Sequence, residues 1–178
     1  MLVTFAHLMD SLATSRSPSK LLQLTLMSLA LLAGFNAGAE SFKASVIGIT
    51  DGDTVRVLRS SSEQVKIRLS EIDAPEKSQP WGQRSKQTLS DLVYRRTVTV
   101  EVVTTDRYGR TVANLILEDG RKANEEMVRS GNAWVYRKYM LDSALLDIEA
   151  DARRNRRGLW SLTEDRIIPP WDWRSKKR

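Results

Sequence analysis

Between residues 46 and 117 apolar and polar positions alternate with a period of two, the repeat of half-buried strands. V-I-G-I (46–49) runs into D-G-D (51–53), a turn signal. T-V-R-V-L (54–58) puts Val55 and Val57 on one face. After the S-S-S-E turn (60–63), V-K-I-R-L (65–69) points Val65, Ile67 and Leu69 inward and Lys66 and Arg68 the other way. T-V-T-V-E-V-V (97–103) and T-V-A-N-L-I-L (111–117) are two more strands, rich in β-branched residues and joined by D-R-Y-G (106–109). One stretch breaks the period. Gln83–Tyr94 places Leu89, Leu92 and Val93 on one side of a helix. The order β-β-β-α-β-β is that of a five-stranded Greek-key barrel of the OB type, which binds nucleic acid on its open face. The expected class is mainly β with helices (α+β), with about three α-helices.

The second half reads as helical. Asn124–Ser130 is a short helix stopped by Gly131. A-W-V-Y (133–136) is apolar and aromatic. Leu141–Arg157 is expected to be a longer helix, its stripe made of Leu141, Leu145, Ile148 and Ala152 and its end marked by Gly158. Arg153, Arg154, Arg156 and Arg157 lie opposite, either as a solvated face near a helix C-terminus or as phosphate contacts. The tail, 163–178, contains I-P-P-W-D-W-R (168–174). Its two prolines argue against helix, and Trp171 and Trp173 are expected to fold back on the domain, the alternative being stacking on bases.

Residues 1–39 differ from the rest. Arg16 and Lys20 precede an apolar run (21–35), followed by A-G-A (37–39). This is the plan of a secretory signal peptide cut after Ala39, the alternatives being an anchor helix or a buried core helix. Translation from Met9 would shorten the segment before the charges. The expected organisation is therefore a leader (1–39), one domain (40–162) and a basic tail (163–178). The protein would be secreted or periplasmic, with no membrane anchor after cleavage.

Composition narrows the chemistry. There is no cysteine, and the single histidine, His7, lies in the leader. Thiol nucleophiles, zinc–thiolate sites and Ser–His or Cys–His catalysis are thereby excluded from residues 40–178. The net charge is +6, or +5 once Arg16, Lys20 and Asp10 are set aside. That favours an anionic partner such as nucleic acid, although a basic soluble protein would read the same.

Oxygen ligands and arginines remain. Asp51 reads as a turn residue. Asp53 shares parity with Val55 and Val57, so its carboxylate points toward the barrel mouth and needs a partner. Asp73 and Glu76 are three apart across Ala74 and Pro75, and the proline rigidifies the backbone around the Ala74 carbonyl. Such a shell suits Ca²⁺ or Mg²⁺ and not zinc; the plainer reading is a polar turn capping the next segment. Arg68 and Arg110, each unremarkable on a surface, would with a cation supply what phosphodiester hydrolysis requires: charge on the phosphoryl oxygens and a carboxylate to take a proton from water.

D-G-D-T (51–54), R-L-S-E-I-D-A-P-E (68–76), D-R-Y-G-R (106–110), N-E-E-M-V-R-S-G (124–131) and G-L-W (158–160) occur in that order. Together they resemble the staphylococcal-nuclease-like (thermonuclease) family over about residues 43–160. The resemblance implies an OB-fold and Ca²⁺-dependent hydrolysis of DNA and RNA to 3′-phosphate ends, with one Ca²⁺ ion. It makes Asp53 and Asp73 the metal's aspartates, Ala74 a ligand through its backbone carbonyl, and Glu76 the general base. It sets Arg68 and Arg110 on the scissile phosphate. Arg107 and Tyr108 fall where the family contacts a terminal phosphate, and Tyr136 and Tyr139 fall near its nucleotide-stacking tyrosines. Ala74 replaces a threonine of the best-known member, the loop 77–83 is short, and the tail after Trp160 lies beyond the resemblance. The expected protein is a monomeric nuclease with no deducible protein partner. A non-catalytic OB-type binding module is the alternative, and a phosphodiesterase for small nucleotides a third. Carboxylates at 53, 73 and 76 argue against the module, because they would repel phosphates.

Overall fold

In the computed structural model, which describes residues 40–60 and 62–176, the strands are β1 (Ser41–Ile49), β2 (Thr54–Leu58), β3 (Gln64–Leu69), β4 (Ile72–Asp73), β5 (Thr97–Thr105), β6 (Thr111–Ile116) and β7 (Trp134–Val135). The α-helices are α1 (Gly82–Val93), α2 (Ala123–Arg129), α3 (Ala144–Arg154) and α4 (Pro170–Lys176). The leader proposed for residues 1–39 lies outside the described residues. Among those described, no helix is long and apolar enough to cross a membrane.

Five strands close into a barrel in the order β1-β2-β3-β6-β5. Closure depends on one parallel pair, β3 with β6, in the register Ile67↔Thr111, Arg68↔Val112 and Leu69↔Ala113. A parallel pair needs a long crossover, and α1 with β5 provides it. This is the OB architecture. The alternation explains the core: Val55, Val57, Ile67, Leu69, Val98, Val100, Ala113 and Leu115 are all buried, with α1 capping them through Leu89 and Val93.

Two segments depart from the expected pattern. The long helix begins at Ala144, not Leu141, and Leu141 is 74% exposed rather than part of the stripe. Glu71 Oε1 accepts the N–H groups of Leu141 (2.6 Å) and Asp142 (2.7 Å), and Asp142 Oδ1 accepts that of Ala144 (2.9 Å). These side-chain acceptors hold 141–143 outside the helix. The tail is also helical. Pro170 is the first residue of α4, where a proline's missing N–H has no partner to lose.

A second, two-stranded sheet pairs β4 with β7, Ile72↔Val135 and Asp73↔Trp134. It anchors the helical half to the strand that carries Asp73. Glu149 of α3 is buried and fixes β7 by accepting from the Val135 N–H (2.9 Å) and from Arg137 and Arg153 (both 3.0 Å). Asn124 at the start of α2 ties the barrel in a similar way, donating to Ser70 O (3.0 Å) and accepting from the Leu115 N–H (3.1 Å). Gly131 and Gly158 bring the ends of α2 and α3 together. Both have positive φ (68° and 57°), and a Cβ on Gly131 would stand 2.1 Å from Arg157 O.

Candidate active site

The D-G-D turn and the β3–β4 segment meet at one wall of a cleft of about 890 Å³. Asp53, at the entry to β2, is buried, and three groups satisfy it. Its Oδ2 accepts from Arg68 Nη1 (2.7 Å) and from the Ala74 N–H (3.0 Å), and its Oδ1 accepts from Thr54 Oγ1 (2.9 Å). Arg68 reaches Asp73 Oδ1 with its other terminal nitrogen (3.1 Å) and also donates to Ile72 O (3.3 Å). One guanidinium thus bridges two carboxylates that lie twenty positions apart in sequence. Strand pairing explains this: Thr54 faces Arg68 across β2–β3, and β4 follows β3 after a turn at Glu71, which has φ 63°.

Asp73 has no exposed surface and receives a second guanidinium from the tail helix. Arg174 Nη2 lies 2.6 Å from Asp73 Oδ2, and its Nη1 reaches Asp73 Oδ1 (3.2 Å) and Glu76 Oε1 (2.7 Å). Glu76 is half-buried, and its backbone N–H donates to Gln79 Oε1 (3.1 Å). Asp53, Arg68, Asp73 and Ala74 therefore touch directly, and Glu76 joins them through Arg174.

The other expected residues line the same cleft without joining that network. Arg110 is held by Asp106, whose Oδ2 accepts from Nε and Nη2 (both 2.7 Å). Arg107 sits over the Tyr108 ring (4.8 Å), and Tyr108 is exposed on the β5–β6 hairpin. Tyr136 makes an edge contact with Tyr139 (4.9 Å) and stacks parallel to Trp171 at 5.5 Å. Trp171 was expected from sequence to fold back on the domain but not named as a site residue, and Arg174 was not singled out at all. The usable signal was Pro169-Pro170 as a helix start, followed by an aromatic and an arginine three apart, which share a helix face.

Electrostatics follow from this crowding. Burial pushes Asp53 upward, but the Arg68 charge and the Ala74 amide outweigh it and hold the carboxyl below the ordinary range. Burial raises Asp73, the Asp53 charge adds to this, and Arg174 and Arg68 offset only part. Asp51, also at the cleft, is raised from 3.8 to about 7 by burial and by repulsion from Asp53. A carboxyl raised in the folded state stabilises the fold fully below its ordinary value, and that contribution is lost as pH climbs through about 7. Asp51→Asn should therefore gain stability over the native chain between pH 4 and pH 8. The gain should be on the order of 1–2 kcal/mol after allowance for partial exposure, read by urea unfolding with chelator present. Identical pH dependence of the two proteins would disprove the repulsion.

Among the described residues no three acidic or histidine side chains converge on one point. The donor chemistry nonetheless fits a hard divalent cation. Asp53 and Asp73 offer oxygen only, Asp51 and Glu76 line the same cleft, and among the described residues neither cysteine nor histidine lines it. Four carboxylates at one wall also exceed the two guanidiniums, of Arg68 and Arg174, that bind there.

Comparison with known proteins bears on the same segments. The family model described as staphylococcal nuclease homologue matches residues 66–162, just over half of the chain. An "uncharacterized endonuclease" of Escherichia coli O157:H7 is 44% identical over 132 residues, covering 74% of this chain and 84% of its own length. A "micrococcal nuclease" of Shigella flexneri is 41% identical over 143 residues, covering 75% and 80%. "Protein ParB" of Escherichia coli is 38% identical over 156 residues, covering 82% and 86%.

Proposed function

The chain belongs to the staphylococcal nuclease family, and from that membership, with the leader pattern of residues 1–39 for export, we propose that it is an exported, Ca²⁺-dependent nuclease that hydrolyses DNA and RNA to 3′-phosphate ends. The observation that carries this reading is the meeting of Asp53 and Asp73 on Arg68, in a cleft that also holds Glu76 and Arg110. A module that only bound nucleic acid would gain nothing from buried carboxylates at its phosphate groove.

Asp53, Asp73 and the carbonyl of Ala74 would hold the ion. When bound, it supplies Lewis-acid stabilisation of the charge that grows on the phosphoryl oxygens. The chain's own residues do the rest. Glu76 takes a proton from the water whose oxygen bonds to phosphorus. The P–O5′ bond breaks, its electron pair leaves with the 5′-oxygen, and that oxygen takes a proton from solvent, so the phosphate stays on the 3′ side. Arg110, which lines the cleft, donates to the phosphoryl oxygens; Arg68 adds positive charge while holding the two aspartates together. Tyr136 offers a ring face for a base, and Arg107 with Tyr108 a contact for a terminal phosphate.

The test is made on chain recovered from the exported fraction of expressing cells, whose N-terminus should be Glu40. Digestion of single-stranded DNA should proceed with Ca²⁺ and stop with chelator, and the fragments should carry 3′-phosphates. Cleavage indifferent to chelator would overturn the cation requirement. Binding without cleavage would replace the nuclease reading with that of a module; absence of the chain from that fraction would remove the export claim, and an unprocessed N-terminus the cleavage after Ala39.

A further inference from the structure

Helix α4 puts two side chains into the cleft from one face. Trp171 stacks parallel to Tyr136 with 6° between the planes and meets Trp134 edge-on at 5.8 Å. Arg174, three residues on, lies on Asp73 and Glu76 through the three short contacts described above. The helix is seated: Pro170 is buried, and Ile168 O, just before it, accepts from Gln79 Nε2 (2.5 Å). The Arg174 guanidinium therefore occupies a prepared place, fork to fork on one carboxylate and end-on to a second.

We infer that Arg174 is an intramolecular competitor for the divalent cation, and that displacing its guanidinium from Asp73 and Glu76 sets the ion requirement of the enzyme. The inference rests on the cation-dependent reading of the site. Its physical basis is an exchange. Asp73 is buried and Arg68 reaches only its Oδ1, so its Oδ2 cannot lose Arg174 without a replacement except at high cost. Arg174 is 39% exposed and can turn back to water cheaply. An incoming ion must therefore replace a guanidinium, not fill a vacant carboxylate pair. The guanidinium is tethered to a packed helix, so its effective concentration is of the order that short linkers give, about millimolar. Removing it should tighten binding of the ion, because the ion-free state then loses its substitute. The same contact covers Glu76 Oε1, the proposed base, so loading the ion and freeing the base are one event.

The test titrates Ca²⁺ calorimetrically into the native chain, Arg174→Gln and Lys176→Gln at fixed ionic strength. Thermal unfolding with and without Ca²⁺ is the second measurement. Lys176 is exposed on the same helix, so its variant loses an equal charge without touching the carboxylates. Arg174→Gln should bind about 10-fold tighter, within the 5- to 150-fold span usual for coupled sites, and should show the larger Ca²⁺-induced rise in Tm. Lys176→Gln should stay within about 2-fold of native, as expected for a screened surface charge. Arg174→Gln with native or weaker affinity, or a change no larger than that of Lys176→Gln, would overturn the competition. If the native chain binds Ca²⁺ and only the variant comparison fails, this inference alone falls. If no chain binds a divalent ion, the cation-dependent reading falls and takes this inference with it.

Discussion

Glu76→Gln is expected to slow phosphodiester hydrolysis roughly 10²–10⁴-fold while leaving the barrel folded. Glutamine keeps the shape and a hydrogen-bonding oxygen but cannot take a proton from water. Little structure depends on the charge. Among the described residues the Glu76 side chain has one ionic partner, Arg174, and both members of that pair are 39% exposed. The turn beneath it is held through the backbone, Glu76 N–H to Gln79 Oε1 and Gln79 N–H to Glu76 O (2.8 Å), and these bonds survive substitution. The unfolding midpoint should therefore move little, since exposed pairs contribute about 0–1 kcal/mol. The loss should fall on kcat, with KM nearly unchanged, because proton transfer belongs to the transition state. Native kcat in the variant would remove Glu76 from the chemistry.

Arg68→Ala should fail twice, and by different mechanisms. Loss of the guanidinium removes positive charge from the cleft, a loss on the order of 10²–10³-fold in kcat. It also leaves Asp53 and Asp73 facing each other, both buried, with Arg174 able to compensate only Asp73. Breaking a buried pair from one side costs about 3–5 kcal/mol. The pH dependence separates the two effects. Asp53 is held below the ordinary carboxyl range against its burial, first of all by Arg68. That pairing stabilises the native chain above the ordinary carboxyl value and is lost as pH falls through the depressed one. The stability gap between Arg68→Ala and native should accordingly be widest near pH 7 and close on acidification. Arg68→Lys, which keeps charge but not the fork between two aspartates, should recover part of the stability and little of the rate. Chemical denaturation at pH 7 and well below the ordinary carboxyl value of 3.8 reads the first effect, and steady-state hydrolysis the second. A native-like stability for Arg68→Ala would show that the bridge is dispensable.

These two residues show why the site was only partly legible in the chain. Asp53 could be read because parity with Val55 and Val57 aims its side chain inward, and an inward carboxylate needs a cation. Arg68 looked free for phosphate, since strand parity says which face a side chain leaves from but not what waits there. What waits is Asp53 from β2 and Asp73 from β4. Arg174 was hidden because its role depends on a docked helix whose two prolines read as breakers, although one of them is its first residue. Leu141 matched the stripe of α3 by spacing, yet the acceptor that keeps it out of the helix, Glu71, is seventy residues away.

Determined by the sequence itself were the period-two strands, the helix that precedes β5, and a chemistry limited to oxygen ligands and guanidiniums. All of these depend on residue type and on neighbours a few positions away. The tertiary structure decided the rest: closure of the barrel through the parallel β3–β6 pair, the β4–β7 sheet that buries Asp73, and the guanidiniums that claim Asp53, Asp73 and Glu76. Each of these joins groups far apart in the chain, where burial, and not local spacing, selects the partner.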